Sequence, residues 1–217
     1  MDFFHVLNRG VEKRDIFLDD KDRVRFVRGL WAFNSARPVE QRELFATNQK
    51  PDLRSPEQPL VELHGWCLMR NHYHLLLSSK EEGGITKFIR KLNVGYANYF
   101  NERYDRSGAL FQGRTKKVHI TTHAYLLYIL HYIHLNPLDY LHISKNWRDG
   151  KMVRTNEVFQ HLNNYRWSSY HDYLTPRSEI PFTTTEFFSE LHNNYDDKIK
   201  TYLTDMEFES LRPFTLE

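Results

Sequence analysis

The stretch LVELHGWCLMRNHYHLLLSS, residues 60–79, limits the possible folds of this 217-residue chain more than any other. Two apolar runs, 60–69 and 72–79, are separated only by Arg70-Asn71. Each run has strand length, and a two-residue connection between such runs is a hairpin signal. Around this hairpin the other elements fall into order. FFHVLNRG reads as a first strand ended by Asn8-Arg9-Gly10. Residues 19–34 read as an amphipathic helix, with Asp19 or Asp20 as cap and Val24, Phe26, Val27, Leu30 and Trp31 as its apolar side. Residues 35–59, with four prolines, read as a loop insertion. A long helix follows over 85–104, then a basic glycine-containing loop, a strand over about 115–120, and a helix over 121–135. That last helix is apolar almost all round, which predicts burial, and Asn136-Pro137 ends it.

Strand, helix, strand, strand, helix, strand is the element order of the split β-α-β unit. The expected class is therefore α+β, with a ferredoxin-like antiparallel sheet and helices on one face. The expected organisation is one domain over residues 1–178 and an acidic, mainly helical tail over 179–217. Cys67 is the single cysteine, which excludes an intrachain disulfide and a Cys-based zinc site. It fits a reducing, cytoplasmic setting. The start lacks a basic segment followed by an apolar one, so no signal peptide is expected. No apolar run reaches membrane-spanning length, so no membrane partner is expected. The net charge is only +2, but it is unevenly spread: residues 179–217 carry −6 and residues 1–178 carry +8. A basic body suits a polyanionic partner, and equally an ordinary solvated surface.

His72 and His74 carry the chemistry. Side chains alternate across a strand, so both point to one face, about 7 Å apart. Tyr73, Leu75 and Leu77 take the other face and can enter the core. Two imidazoles on a rigid strand make half of a metal site; a hydrogen-bonded histidine pair is the other reading. Tyr132 and Asn136 lie at i, i+4 on the buried helix and so share a face. A carboxamide oxygen can ligate a hard divalent ion. A tyrosine one turn away can act as a nucleophile toward phosphate if activated. Tyr125 and Tyr128 nearby leave a core role open for Tyr132.

HYH on the strand, YFNERYDRSGALFQGRTKKVHI, and YIHLNP closing a helix resemble the single-tyrosine HUH (IS200-like) transposases. Within them the chain most resembles the REP-associated tyrosine transposases. FFHVLNRGVEKRDIFLDDKD near the start and WSSY at 167–170 fit the same pattern, so the resemblance spans about residues 3–170. It implies that His72 and His74 bind a metal, Mg²⁺ or Mn²⁺, with Asn136 as third ligand. Tyr132 matches the catalytic tyrosine. The implied substrate is single-stranded DNA cut beside a repetitive extragenic palindrome hairpin, leaving a 5′-phosphotyrosine and a free 3′-OH that allows rejoining. The implied setting is bacterial and nucleoid-associated, as monomer or homodimer.

On that reading, Lys87, Arg90 and Lys91 on the long helix and Arg103, Arg106, Arg114, Lys116 and Lys117 around the glycine loop are candidates to neutralise DNA phosphates. Arg9 and Arg14 are further candidates. Tyr104, Phe111 and Trp167 can stack bases or pack in the core. Two other functions stay open: a catalytically silent hairpin-binding protein, and an RNA-binding or processing protein.

Overall fold

The computed structural model describes residues 1–37, 58–141, 147, 155–175, 182–192 and 194–204. The expected insertion over 35–59 therefore lies mostly outside the described residues. Four strands form the sheet: β1 (Phe3–Arg9), β2 (Val61–Leu68), β3 (His72–Ser79) and β4 (Lys116–His119). Helix α1 (Asp20–Ala32) joins β1 to β2, and α2 (Gly84–Arg103) joins β3 to β4. Helix α3 (His123–Leu135) follows β4, then α4 (Thr155–Asn164), α5 (Tyr170–Leu174), α6 (Glu186–Leu191) and α7 (Tyr195–Thr204). The sheet order is β2-β3-β1-β4, with every pairing antiparallel. This is the ferredoxin-like α+β architecture the element order predicts. No helix among the described residues is long and apolar enough to cross a membrane.

Local chemistry explains the element ends. The Asp19 carboxylate accepts from the Asp22 N–H at 3.1 Å and caps α1. The Met69 N–H donates to the His72 carbonyl at 2.8 Å, closing the tight turn around Arg70-Asn71. The Thr122 hydroxyl accepts from the Tyr125 N–H at 3.2 Å and caps α3. Pro137 opens the 3-10 turn of residues 136–140, where the α-helix stops.

The strand alternation divides the molecule into two cores. Tyr73, Leu75 and Leu77 of β3 pack with Phe26 and Leu30 of α1 and with Phe88, Leu92 and Tyr96 of α2. The opposite face, which carries His72, His74 and Leu76, is covered by α3 and by the C-terminal helices. So the helices expected on one face are α1 and α2, and a second layer closes the other. Phe188, Tyr195, Ile199 and Leu203 of the acidic tail are buried in that second core. Each fully buried apolar side chain contributes about 2 kcal/mol, so α6 and α7 are part of the fold's stability. Helix α3 approaches the sheet closely over Gly65, where an added Cβ would lie 2.8 Å from Leu130 Cδ1.

Candidate active site

The register of β1 against β3 assembles the site. Arg9 pairs with His72, Leu7 with His74 and His5 with Leu76. Paired residues share a face, so Arg9, Leu7 and His5 join the two histidines on the α3 side of the sheet. On the other edge, Leu7 pairs with Lys116, which brings that lysine to the same face. Lys117, one residue on, takes the opposite face and sits over the Phe4 ring at 5.4 Å.

Each histidine is oriented through its Nδ1. The Asn71 side-chain N–H donates to the Lys13 carbonyl at 3.1 Å. That fixes the amide's orientation and turns its oxygen toward His72 Nδ1, 2.6 Å away. A carbonyl oxygen only accepts, so a neutral His72 ring carries its proton on Nδ1 and its lone pair on Nε2. His74 Nδ1 lies 2.9 Å from His5 Nε2, and His5 Nδ1 lies 3.2 Å from the Tyr125 hydroxyl. His5 and His74 are wholly buried. Burial raises the Tyr125 phenol above its ordinary value, with Tyr128 adding to the shift, so Tyr125 stays protonated.

Helix α3 places Tyr132 against this cluster. Its ring stands edge-on to His74 at 5.8 Å and to His5 at 5.9 Å, while the His72 and His74 rings are 4.9 Å apart. Tyr132 is completely buried, and the Trp147 ring lies 6.0 Å from it on another side. Asn136 is buried one turn further on, where its side-chain N–H donates to the Tyr132 carbonyl at 2.8 Å. The structure thus brings His72, His74 and Tyr132 together and sets Asn136 at the end of the tyrosine helix.

Among the described residues no three His, Cys, Asp or Glu side chains converge on a metal position. The donors set side by side are the two imidazoles of His72 and His74. Both imidazoles have Nδ1 engaged by a neighbour, the arrangement that directs Nε2 of a histidine at a metal. The two imidazoles therefore suit a divalent ion, while Asn136 is buried at the end of α3 with its side-chain N–H turned to the Tyr132 carbonyl.

A cleft of about 340 Å³ opens beside His72, lined by Arg9, Asn71, Gln112, Arg114 and Lys116 among others. Of the ten basic residues singled out in the sequence, these three cations border it. Arg14 is exposed just after β1. Arg103 is committed elsewhere: it forms ion pairs with Asp19 at 2.5 Å and with the fully buried Asp22 at 2.6 Å. Arg106 donates to Asn101 and to the Ala109 carbonyl, shaping the glycine loop. Lys87 pairs with Glu81 at 3.5 Å. Lys91 donates to the Ser35 and Arg37 carbonyls, and burial holds its ammonium below the usual lysine range. Arg90 lines a separate groove with Phe33 and Val94.

The aromatic candidates divide as well. Tyr104 donates to Asp22, and Phe111 packs against Tyr73 and Tyr96, so both have structural roles. Trp167 is partly buried between Arg23 and Arg166. His5 and Trp147 are not among the candidate residues the motifs single out, although alternation along FFHVLNR places His5, Leu7 and Arg9 on one face.

Fold and site together define an α+β protein that gathers histidines and a helix tyrosine on one face of a ferredoxin-like sheet. Residues 56–136 match the model of the family described as "Transposase IS200 like". That span runs through β2, β3, α2, β4 and α3, and so contains His72, His74, Tyr132 and Asn136. The match covers 81 of the 217 residues, and over that span it agrees with the resemblance read from the motifs. Among solved structures, one of a REP-associated tyrosine transposase bound to a REP hairpin is similar at a TM-score of 0.44. The identity there is 10%, over 85% of this chain and 84% of that one. No curated protein matches this chain.

Proposed function

We propose that the protein is a metal-dependent single-stranded DNA endonuclease and strand transferase of the HUH single-tyrosine type. It acts beside a folded hairpin, of the kind formed by repetitive extragenic palindromes. The observation that carries this reading is the placement of the Tyr132 ring against His74, with His72 and a cationic cleft alongside. Arg9, Arg114 and Lys116 hold the DNA backbone through its phosphates. Tyr132 Oη attacks the scissile phosphorus; the new Oη–P bond forms as the P–O3′ bond breaks. The phenol loses its proton, and the departing 3′ oxygen gains one. The product is a 5′-phosphotyrosine and a free 3′-OH, which can attack in reverse and rejoin strands. Held by His72, His74 and Asn136, Mg²⁺ or Mn²⁺ would polarise the phosphate and offset its developing charge.

Tyr132 is 0% exposed, so its hydroxyl reaches a phosphate only once part of its cover has moved. This burial is the observation that favours the second reading, a protein that binds DNA hairpins without cutting them. A single assay separates the two. Hairpin oligonucleotides from the repeats flanking the gene, 3′-labelled and each made as DNA and as RNA, are incubated with protein and Mn²⁺ and resolved on a denaturing gel. Label shifted to protein mass by the wild type but not by Tyr132→Phe or His72→Ala supports cleavage. Tight hairpin binding with no shifted label supports the binding-only reading, and an adduct on RNA alone would redirect the function to RNA.

A further inference from the structure

We infer that His5 is a positioning residue for the proposed metal site: it sets the tautomer of His74, and through it the affinity for the ion. The inference rests on the reading of His72 and His74 as metal ligands. The two histidines differ in how they are oriented. His72 faces an amide oxygen, which only accepts, so the neutral ring donates from Nδ1 and keeps its lone pair on Nε2. His74 faces His5 Nε2 at 2.9 Å, and either nitrogen of that pair can be the donor. Beyond His5 stands the Tyr125 hydroxyl at 3.2 Å, which can also donate or accept.

The Tyr125–His5–His74 chain therefore has two directions. In one, His74 Nδ1–H donates to His5 Nε2, His5 Nδ1–H donates to Tyr125 Oη, and His74 Nε2 carries a lone pair. In the other, Tyr125 donates to His5 Nδ1, His5 Nε2–H donates to His74 Nδ1, and His74 Nε2 bears hydrogen. Only the first can ligate a metal. His5 and His74 are wholly buried and their rings stack at 5.2 Å, so neither ring turns without disturbing the packing around it. Binding an ion thus selects the direction of a chain that runs from β3 through β1 to the N-terminal turn of the tyrosine helix. A residue that only filled space at position 5 would leave His74 without this partner.

The test uses the full chain and Mn²⁺ alone, with no DNA. Mn²⁺ affinity is followed by loss of the free-ion EPR signal. The His74 tautomer is read from ¹⁵N shifts of the metal-free protein. The variants are His5→Leu, which removes the acceptor, and His5→Gln, whose Oε1 replaces Nε2 as an acceptor. His5→Leu is expected to weaken Mn²⁺ binding about 10- to 100-fold, the usual cost of losing such a partner. It should also move His74 toward the Nε2–H form. His5→Gln should keep most of the affinity and the Nδ1–H form, which separates positioning from packing. Unchanged affinity and tautomer in His5→Leu, with the wild type binding Mn²⁺, overturns the role of His5 alone. No Mn²⁺ uptake by the wild type, beyond that of His74→Ala, overturns the metal site itself.

Discussion

Lowering the pH from 7 to 5 should loosen the C-terminal helices. Three buried histidines sit where those helices meet the rest of the fold. His64, on β2, donates from Nδ1 to the Thr184 carbonyl (3.2 Å) and has Nε2 2.8 Å from the Ser78 hydroxyl. His131 of α3 and His192, just past α6, have ring centroids 4.5 Å apart. Burial pushes His64 and His192 down to about 4, and holds His131 well below its ordinary value. Nearby Glu62 partly opposes this for His64. In the unfolded chain a histidine titrates near 6.5. Between about 6.5 and 4 the unfolded state therefore binds protons that the folded state refuses, and stability falls as pH falls. A single shift from 6.5 to 4 costs about 2 kcal/mol between pH 7 and 5, so His64 and His192 together cost about 4 kcal/mol. That is a large share of the 5–15 kcal/mol typical of a domain, on the order of which this protein's stability should lie. Urea unfolding at half-unit pH steps measures it. The double variant His64→Gln with His192→Gln should flatten the profile. A wild-type midpoint that stays constant from pH 7 to 5 would refute the reasoning.

Other outcomes follow from the same geometry. Asp22→Ala should lower stability by about 3–5 kcal/mol in thermal melts, because it strips a buried carboxylate from Arg103. That carboxylate also accepts from Tyr99, Tyr104 and the Leu18 N–H. Arg114→Ala and Arg9→Ala should each reduce the salt dependence of hairpin binding by about 0.7–0.9 in log–log slope, whereas Arg103→Ala should leave that slope unchanged. Gly65→Ala should destabilise the protein by about 1–3 kcal/mol and disturb α3, since its methyl must displace Leu130. EDTA should abolish the covalent adduct while hairpin binding persists in a gel-shift assay.

Much of this was legible in the sequence where periodicity is local. The His72 and His74 face followed from alternation, the Arg70-Asn71 turn from its length, and the end of α3 from Asn136-Pro137. What stayed hidden depended on partners distant in the chain. The role of His5 needs the β1–β3 register, which joins residues 69 positions apart. Arg103 looked like a DNA contact because its acidic partners, Asp19 and Asp22, lie more than 80 residues earlier. The acidic tail read as an appendage because its charge dominates its composition. Phe188, Ile199 and Leu203 reveal its apolar side only once α3 provides a surface to cover. The family match is equally local, reaching from residue 56 to residue 136, and it leaves His5, Arg9 and the C-terminal layer to be read from the structure.

The most direct test of the central claim is to locate the nucleotide-bearing residue. Wild-type protein, Mn²⁺ and a cleavable hairpin DNA are allowed to react, the complex is digested with nuclease and protease, and the peptides are sequenced by mass spectrometry. A phosphate-linked nucleotide is expected on Tyr132, within the peptide spanning α3. A nucleotide on Tyr125, Tyr128 or any other residue, or an unmodified Tyr132 in protein that has cut its substrate, would contradict it.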